Sequence, residues 1–112
     1  MEVVSRAAGP VSVLELTGRF DNYAAPAVAA WLQKASAAVP PYVVVDLSGV
    51  TFVDSTALAT LVRELMRCRQ RDGDLYLCGL QRQVYMIFEL SRLDRAFSIF
   101  VDKDHAIKSF TS

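Results

Sequence analysis

The sequence predicts an α/β fold: one domain in which helices pack on a mixed sheet of four to five strands that opens with a β-hairpin. Three observations predict it. Tyr42 to Leu47 is dominated by β-branched residues, the composition of a strand covered on both faces. Leu58, Leu61, Val62, Leu65 and Met66 follow at the spacing of an amphipathic helix that begins at Asp54-Ser55. Leu75 to Leu80 then reads as a second strand, so strand, helix and strand form a crossover between parallel neighbours.

The remaining elements fit around this unit. Val3 and Val4, then Val11, Val13, Leu14 and Leu16, are two strand-like runs with the turn signal Gly9-Pro10 between them. Gly18 is expected to break the second strand, leaving Arg19 to Asn22 as a polar loop. Tyr23 to Ala37 is alanine-rich and helical, with Pro26 tolerated in its first turn and Pro40-Pro41 beyond its end. Val28, Trp31, Leu32 and Ala35 share the face that should meet the sheet. Asp72-Gly73-Asp74 should end the long helix through its glycine. A third helix over 81–90 turns Val84, Ile87 and Phe88 inward. Leu93, Phe97, Ile99 and Phe100 supply a loop and a short last strand, and Asp102 or Asp104 caps a closing helix with Ile107 and Phe110. There are no repeats or linkers, and 1–112 reads as one domain.

Composition narrows the function. Twelve basic and twelve acidic side chains give no net charge, which argues against a nucleic-acid partner, since phosphates are gathered by a positive field. No apolar run approaches the ~20 residues that span a bilayer, and the opening MEVVSRA has no signal-peptide pattern. Both features suggest a cytoplasmic protein without membrane insertion. Cys68 and Cys78 are too few for a zinc site and sit where buried thiols are common. Nothing in the sequence asks for a metal or a cofactor.

An enzyme is not the expectation either. A serine nucleophile needs a base, and the sole histidine, His105, falls in the closing helix as a solvated residue. The pairs Asp72/Asp74 and Asp102/Asp104 lie in turn or capping contexts, and no glycine-rich phosphate loop is present. That leaves the polar run Asp54, Ser55 and Thr56 at the start of the long helix. Asp54 or Ser55 makes a good N-cap, which by itself accounts for small polar residues there. The same position lies at the carboxyl end of a parallel strand, where open α/β folds bind their ligands, with Ser55 beside Val50 and Phe52 at the surface. The residues alone leave both readings open.

The run DLSGVTFVDSTAL, between a VVV strand and an amphipathic helix, resembles the signature of the STAS domain, a family named for sulphate transporters and anti-sigma-factor antagonists. LTGRFDNYAAPAV resembles the family's strand, glycine and acidic loop before the first helix, and LSRLDRAFSIFVDKDHAI resembles its closing segment. The resemblance covers nearly the whole chain. It implies a bacterial anti-sigma-factor antagonist in which the serine after the motif aspartate, here Ser55, is phosphorylated by an anti-sigma factor that is also a serine kinase. The unphosphorylated form would bind that kinase, and a PP2C-type serine phosphatase would restore it. Asp21, Asp54, Ser55, Thr56 and Ala57 are the partner-binding residues carried over. The alternative within the family is a scaffold with no phosphorylation cycle, as a subunit of an ABC lipid-transport complex or a stressosome-like assembly. One departure stands out: the family's Ser-Gly-Leu-Gly run is Thr56-Ala57-Leu58-Ala59 here. Alanine favours helix over glycine by about 1 kcal/mol per position, so this helix start should be stiffer, with two added methyls where a partner approaches.

Overall fold

A computed structural model describes residues 1–111. Two antiparallel strands, β1 (Glu2–Ala8) and β2 (Val11–Phe20), lead into α1 (Ala25–Ala35). Then come β3 (Tyr42–Val53), α2 (Ser55–Gln70), β4 (Asp74–Cys78), α3 (Arg82–Leu90), a single 3-10 turn, β5 (Ile99–Phe100) and α4 (Lys103–Thr111). The strands form one five-stranded sheet in sequence order. β1 and β2 are antiparallel, and every later pair is parallel.

The β-branched run of β3 is explained by its place at the centre of this sheet. Val43, Val45 and Leu47 face one way, with Leu14, Leu16, Leu75 and Leu77, and are buried against α1, α2 and α3. Tyr42 and Val44 face the other way, with Val11, Val13 and Cys78, under Ala106, Ile107 and Phe110 of α4. Phe110 stacks on Tyr76 at 3.9 Å and on Tyr42 at 4.9 Å between ring centres. A period of two thus delivers an apolar residue to a helix layer at nearly every step. Of the two candidate caps for α4, Asp102 is the one used, accepting the His105 amide at 2.9 Å and contacting the His105 ring nitrogen at 2.7 Å. Those hydrogen bonds, the backbone one foremost, hold the Asp102 carboxyl below its ordinary value.

Four details differ from the sequence expectation. Gly18 does not end β2. It sits at φ +112 beside a register shift, and the strand resumes through Arg19 and Phe20. The extra residue of the shift is Thr51 of β3, and Gly18 continues β2 opposite Val50. β3 likewise continues past Leu47 to Val53, because the lengthened β2 remains available to pair with it. α1 is shorter at both ends than expected, spanning Ala25–Ala35, and β4 stops at Cys78 before Gly79 at φ +72.

The buried face of α2 also differs. It consists of Ala57, Thr60, Leu61, Glu64, Leu65 and Cys68, while Leu58 and Val62 are half-buried and Met66 is 52% exposed. α2 packs against α1 as well as the sheet, so Ala57 and Thr60 are buried together with Leu61 and Leu65. Glu64 is wholly buried on this face, with Oε1 3.1 Å from Nε of Arg67. The two charges are close enough to pair, but their geometry makes no aligned hydrogen bond.

α2 ends in a Schellman turn. The Gly73 amide donates to the Cys68 carbonyl at 2.9 Å and the Asp72 amide to the Arg69 carbonyl at 3.2 Å. The left-handed position is held by Asp72, at φ 63, and not by the glycine. Gly73 is needed for another reason: a Cβ there would lie 1.9 Å from the carbonyl oxygen of Pro41. Gly73→Ala should therefore cost about 3 kcal/mol or more through backbone displacement, seen as a lower urea midpoint with an unchanged slope. The two thiols lie in different core layers, Cys68 on the buried face of α2 and Cys78 under α4, and both are free. Burial, reinforced by nearby carboxylates, pushes Cys68 up to about 11 and Cys78 up to about 12. Both thiols should remain unreactive toward an aromatic disulfide reagent at pH 9.0, where a free thiol is half ionised, and react fully in denaturant.

Candidate functional site

The site is assembled where β2 and β3 end side by side. Phe20 pairs with Val53 as the last rung, and the Asp54 amide donates to the Phe20 carbonyl at 3.3 Å. From there the chain turns at Asp54, whose backbone is extended, into the first turn of α2. Asp54 Oδ1 accepts the Ala57 amide at 2.9 Å, which is an N-cap bond. Its other oxygen, Oδ2, accepts the Asn22 amide at 2.8 Å. One carboxylate thus fixes both the start of α2 and the loop that enters α1.

Asp21 orders the turn ahead of α1 without capping the helix, whose N-cap position is Ala24. Its Oδ1 accepts the amides of Tyr23 and Ala24, both at 3.1 Å, closing the turn ahead of the helix. Asp21 and Asp54 are half-buried, while Ser55 and Thr56 are exposed. The Ser55 hydroxyl has no protein hydrogen-bond partner among the described residues, so it stands free beside the capped helix end.

The structure therefore brings Asp21, Asp54, Ser55 and Thr56 to one surface. Ala57 does not belong with them, because it is fully buried and its methyl packs in the core. Val50, expected at the surface, is also buried, whereas Phe52 is half-buried and carries the Arg19 guanidinium 4.0 Å above its ring. His105 is on α4, which covers the opposite face of the sheet from α2, so Ser55 and His105 do not form a pair.

Three features were not identified from sequence. The Asn22–Asp54 bond spans 32 residues and has no local signal. Arg19 and Phe52 meet only because both strands outrun their expected ends. Tyr23, 88% exposed, shares with Arg19 and Asp21 a groove of ≈ 500 Å³ that reaches Met1 and Val3 of β1. A smaller groove of ≈ 140 Å³ runs between α1 and α2, with Asn22, Thr56 and Arg63 on its walls.

A sheet with helices on both faces and an exposed hydroxyl beside a capped helix start at the carboxyl end of its central strand defines a small α/β domain of sandwich type. The chain belongs to the STAS domain family, whose model matches residues 2–106. It is 31% identical over 84 residues to an anti-sigma-B factor antagonist of Listeria monocytogenes, covering 75% of this chain and 74% of the relative. In fold it is similar to an anti-sigma-factor antagonist (STAS) domain protein from Planctomyces limnophilus, with a TM-score of 0.89, 22% identity and 98% of each chain covered. It is also similar to Bacillus SpoIIAA in its phosphorylated form, with a TM-score of 0.76, 17% identity and 97% and 99% of the two chains covered. Among the described residues no helix is long and apolar enough to cross a membrane.

The double role of Asp54 gives a direct test. Asp54→Ala removes the N-cap and frees the Asn22 amide to water, and should cost about 1–2 kcal/mol. Asp54→Asn retains one carbonyl acceptor and should fall between the two. Urea midpoints give the order, and amide exchange at Asn22 and Ala57 should accelerate together in Asp54→Ala.

Proposed function

We propose that the chain is an anti-sigma-factor antagonist that docks a serine-kinase anti-sigma factor through the Asp21, Asp54, Ser55 and Thr56 surface and is released when Ser55 is phosphorylated. The observation that carries the reading is the free, exposed Ser55 hydroxyl on a turn that Asp54 holds from both sides. A kinase requires an accessible hydroxyl on a presented backbone. The Listeria relative, an anti-sigma-B factor antagonist by name, supports the same assignment. A PP2C-type serine phosphatase would complete the cycle.

The charge balance favours a switch that acts on docking and not on folding. A phosphate adds about −1.5 to −2 charge. Attraction to the positive end of the α2 dipole, roughly 0.3–1 kcal/mol, is offset by repulsion of similar size from Asp54 across a wet surface, about 1 kcal/mol. The domain should therefore keep its fold, as the SpoIIAA fold does in its phosphorylated form. An interface is less tolerant. Burying an unpaired charge costs several kcal/mol, on the order of 3–5, and each ~1.4 kcal/mol is tenfold in affinity.

Ser55→Ala and Ser55→Asp baits, incubated with lysate of the native host, test the reading. Ser55→Ala should retain an ATPase with serine-kinase activity, and Ser55→Asp should lose at least about a hundredfold of that affinity. Equal capture by the two baits would overturn the charge block. Recovery of an ABC ATPase by both would instead place the chain in a transport scaffold.

A further inference from the structure

We propose that the outer edge of β1 pairs with the same edge of a second copy of this chain, in an antiparallel junction centred on Val4. The observations begin with the sheet order. β1 is the first strand of the sheet and has a partner on one side only. Its seven residues pair with β2 in constant register, without a bulge, and contain no proline. Glu2 to Ala7 are all exposed, including Val3 and the 41%-exposed Val4. Among the described residues nothing covers this edge.

The opposite edge is built differently. β5 has two residues and α4 begins three positions later, so little ladder is left open there. Natural sheets blunt their edges with short strands, bulges, prolines or inward charges. β5 uses shortness, while β1 is long and regular and offers a template for another strand.

Charge selects the occupant. Glu2, Val4 and Arg6 lie on the α4 side of β1, since Val4 is the register partner of Glu15 and Arg6 of Val13. On that side Glu15 holds two cations, Arg6 at 2.6 Å and Lys103 on its other oxygen. The Lys103 and Arg6 hydrogen bonds keep the Glu15 carboxyl below its ordinary value, so it is an anion shared by two positive groups. With Asp46, the register partner of Glu15, also acting on Lys103, the cluster is balanced, and Arg6 on the edge strand is its cation at the open side. Glu2 has no ion-pair partner among the described residues. Antiparallel pairing about Val4 sets Glu2 of one copy opposite Arg6 of the other, twice over. Val4 meets Val4 at the axis, and Val3 falls opposite Ser5. A two-fold junction requires this self-complementarity, and opposite charges across strands stabilise pairing where like charges oppose it. The Ser55 turn follows β3 and is separated from the junction by β2.

Sedimentation velocity of the untagged chain over a concentration series tests the junction. A monomer–dimer equilibrium is expected for the wild type. Val4→Lys places like charges on the axis and Glu2→Arg places arginine opposite arginine, and each should weaken the dimer by about tenfold or more. Both sites are exposed, so circular dichroism should show the monomer fold retained. Leu90→Lys, on the exposed apolar side of α3, should leave the dimer intact. A monomer at every concentration overturns the proposal, as does a dimer lost in Leu90→Lys but kept in Val4→Lys. A dimer that ignores Glu2→Arg overturns the Val4-centred register.

Discussion

The carboxylate of Asp54 accepts one amide from each of two segments that are far apart in sequence, the first turn of α2 and the loop that enters α1. Both bonds involve a charged acceptor, the stronger class of hydrogen bond. They are possible because β2 and β3 run together to their last rung at Phe20 and Val53, which brings the two loops to the same height. The register shifts twice on the way, between Glu15 and Thr17 and between Gly18 and Arg19, each time by one extra residue of β3. The surface around Ser55 thus depends on a chain of constraints from strand register, through strand length, to one side chain. Ser55 inherits its fixed position from that chain without making a hydrogen bond through its own hydroxyl.

A modification at Ser55 therefore meets a site whose main electrostatic opportunity is already taken. Asp54 occupies the Ala57 amide, leaving only the first two amides of α2 without an acceptor inside the helix. A phosphate on Ser55 would share the positive end of the helix with a carboxylate, which limits how far it can reorganise the turn. The consequence is a surface whose charge changes while its shape is conserved. Such a surface suits a partner that must discriminate two states of the same domain by desolvation cost.

The strongest sequence signals correspond to the parts of the fold in which local pattern and tertiary environment agree. The VVV run is a central strand because residues of both parities are covered, and the start of α2 is legible because Asp54 is a cap in sequence and in space. The mismatches occur where a residue serves something distant. Gly18 looks like a terminator until its register with Val50 is known, and Gly73 looks like a helix-ending glycine until Pro41 is placed beside it. The buried face of α2 is only partly legible for a related reason. A stripe read from apolar size finds Leu61 and Leu65 but not Ala57, Thr60 or the buried Glu64, which has Arg67 at 3.1 Å and Arg63 at 4.0 Å. The resemblance to the STAS family points to Asp54 and Ser55, which periodicity does not single out, but not to the Asn22 contact that Asp54 makes.

The alanines that replace the family's glycines after Ser55 can now be separated. Ala57 is buried, and its amide is the one held by Asp54, so its methyl adds core contact and stiffens the capped turn. Ala59 is exposed on the next turn, where its methyl faces whatever approaches the surface. One substitution therefore acts on the rigidity of the presented serine and the other on the shape of the interface. A partner adapted to this chain has to accommodate the methyl of Ala59, while the methyl of Ala57 is invisible to it. Partner specificity against other STAS proteins would then reside in the exposed position and in Tyr23 across the loop, with the buried position setting how firmly Ser55 is offered.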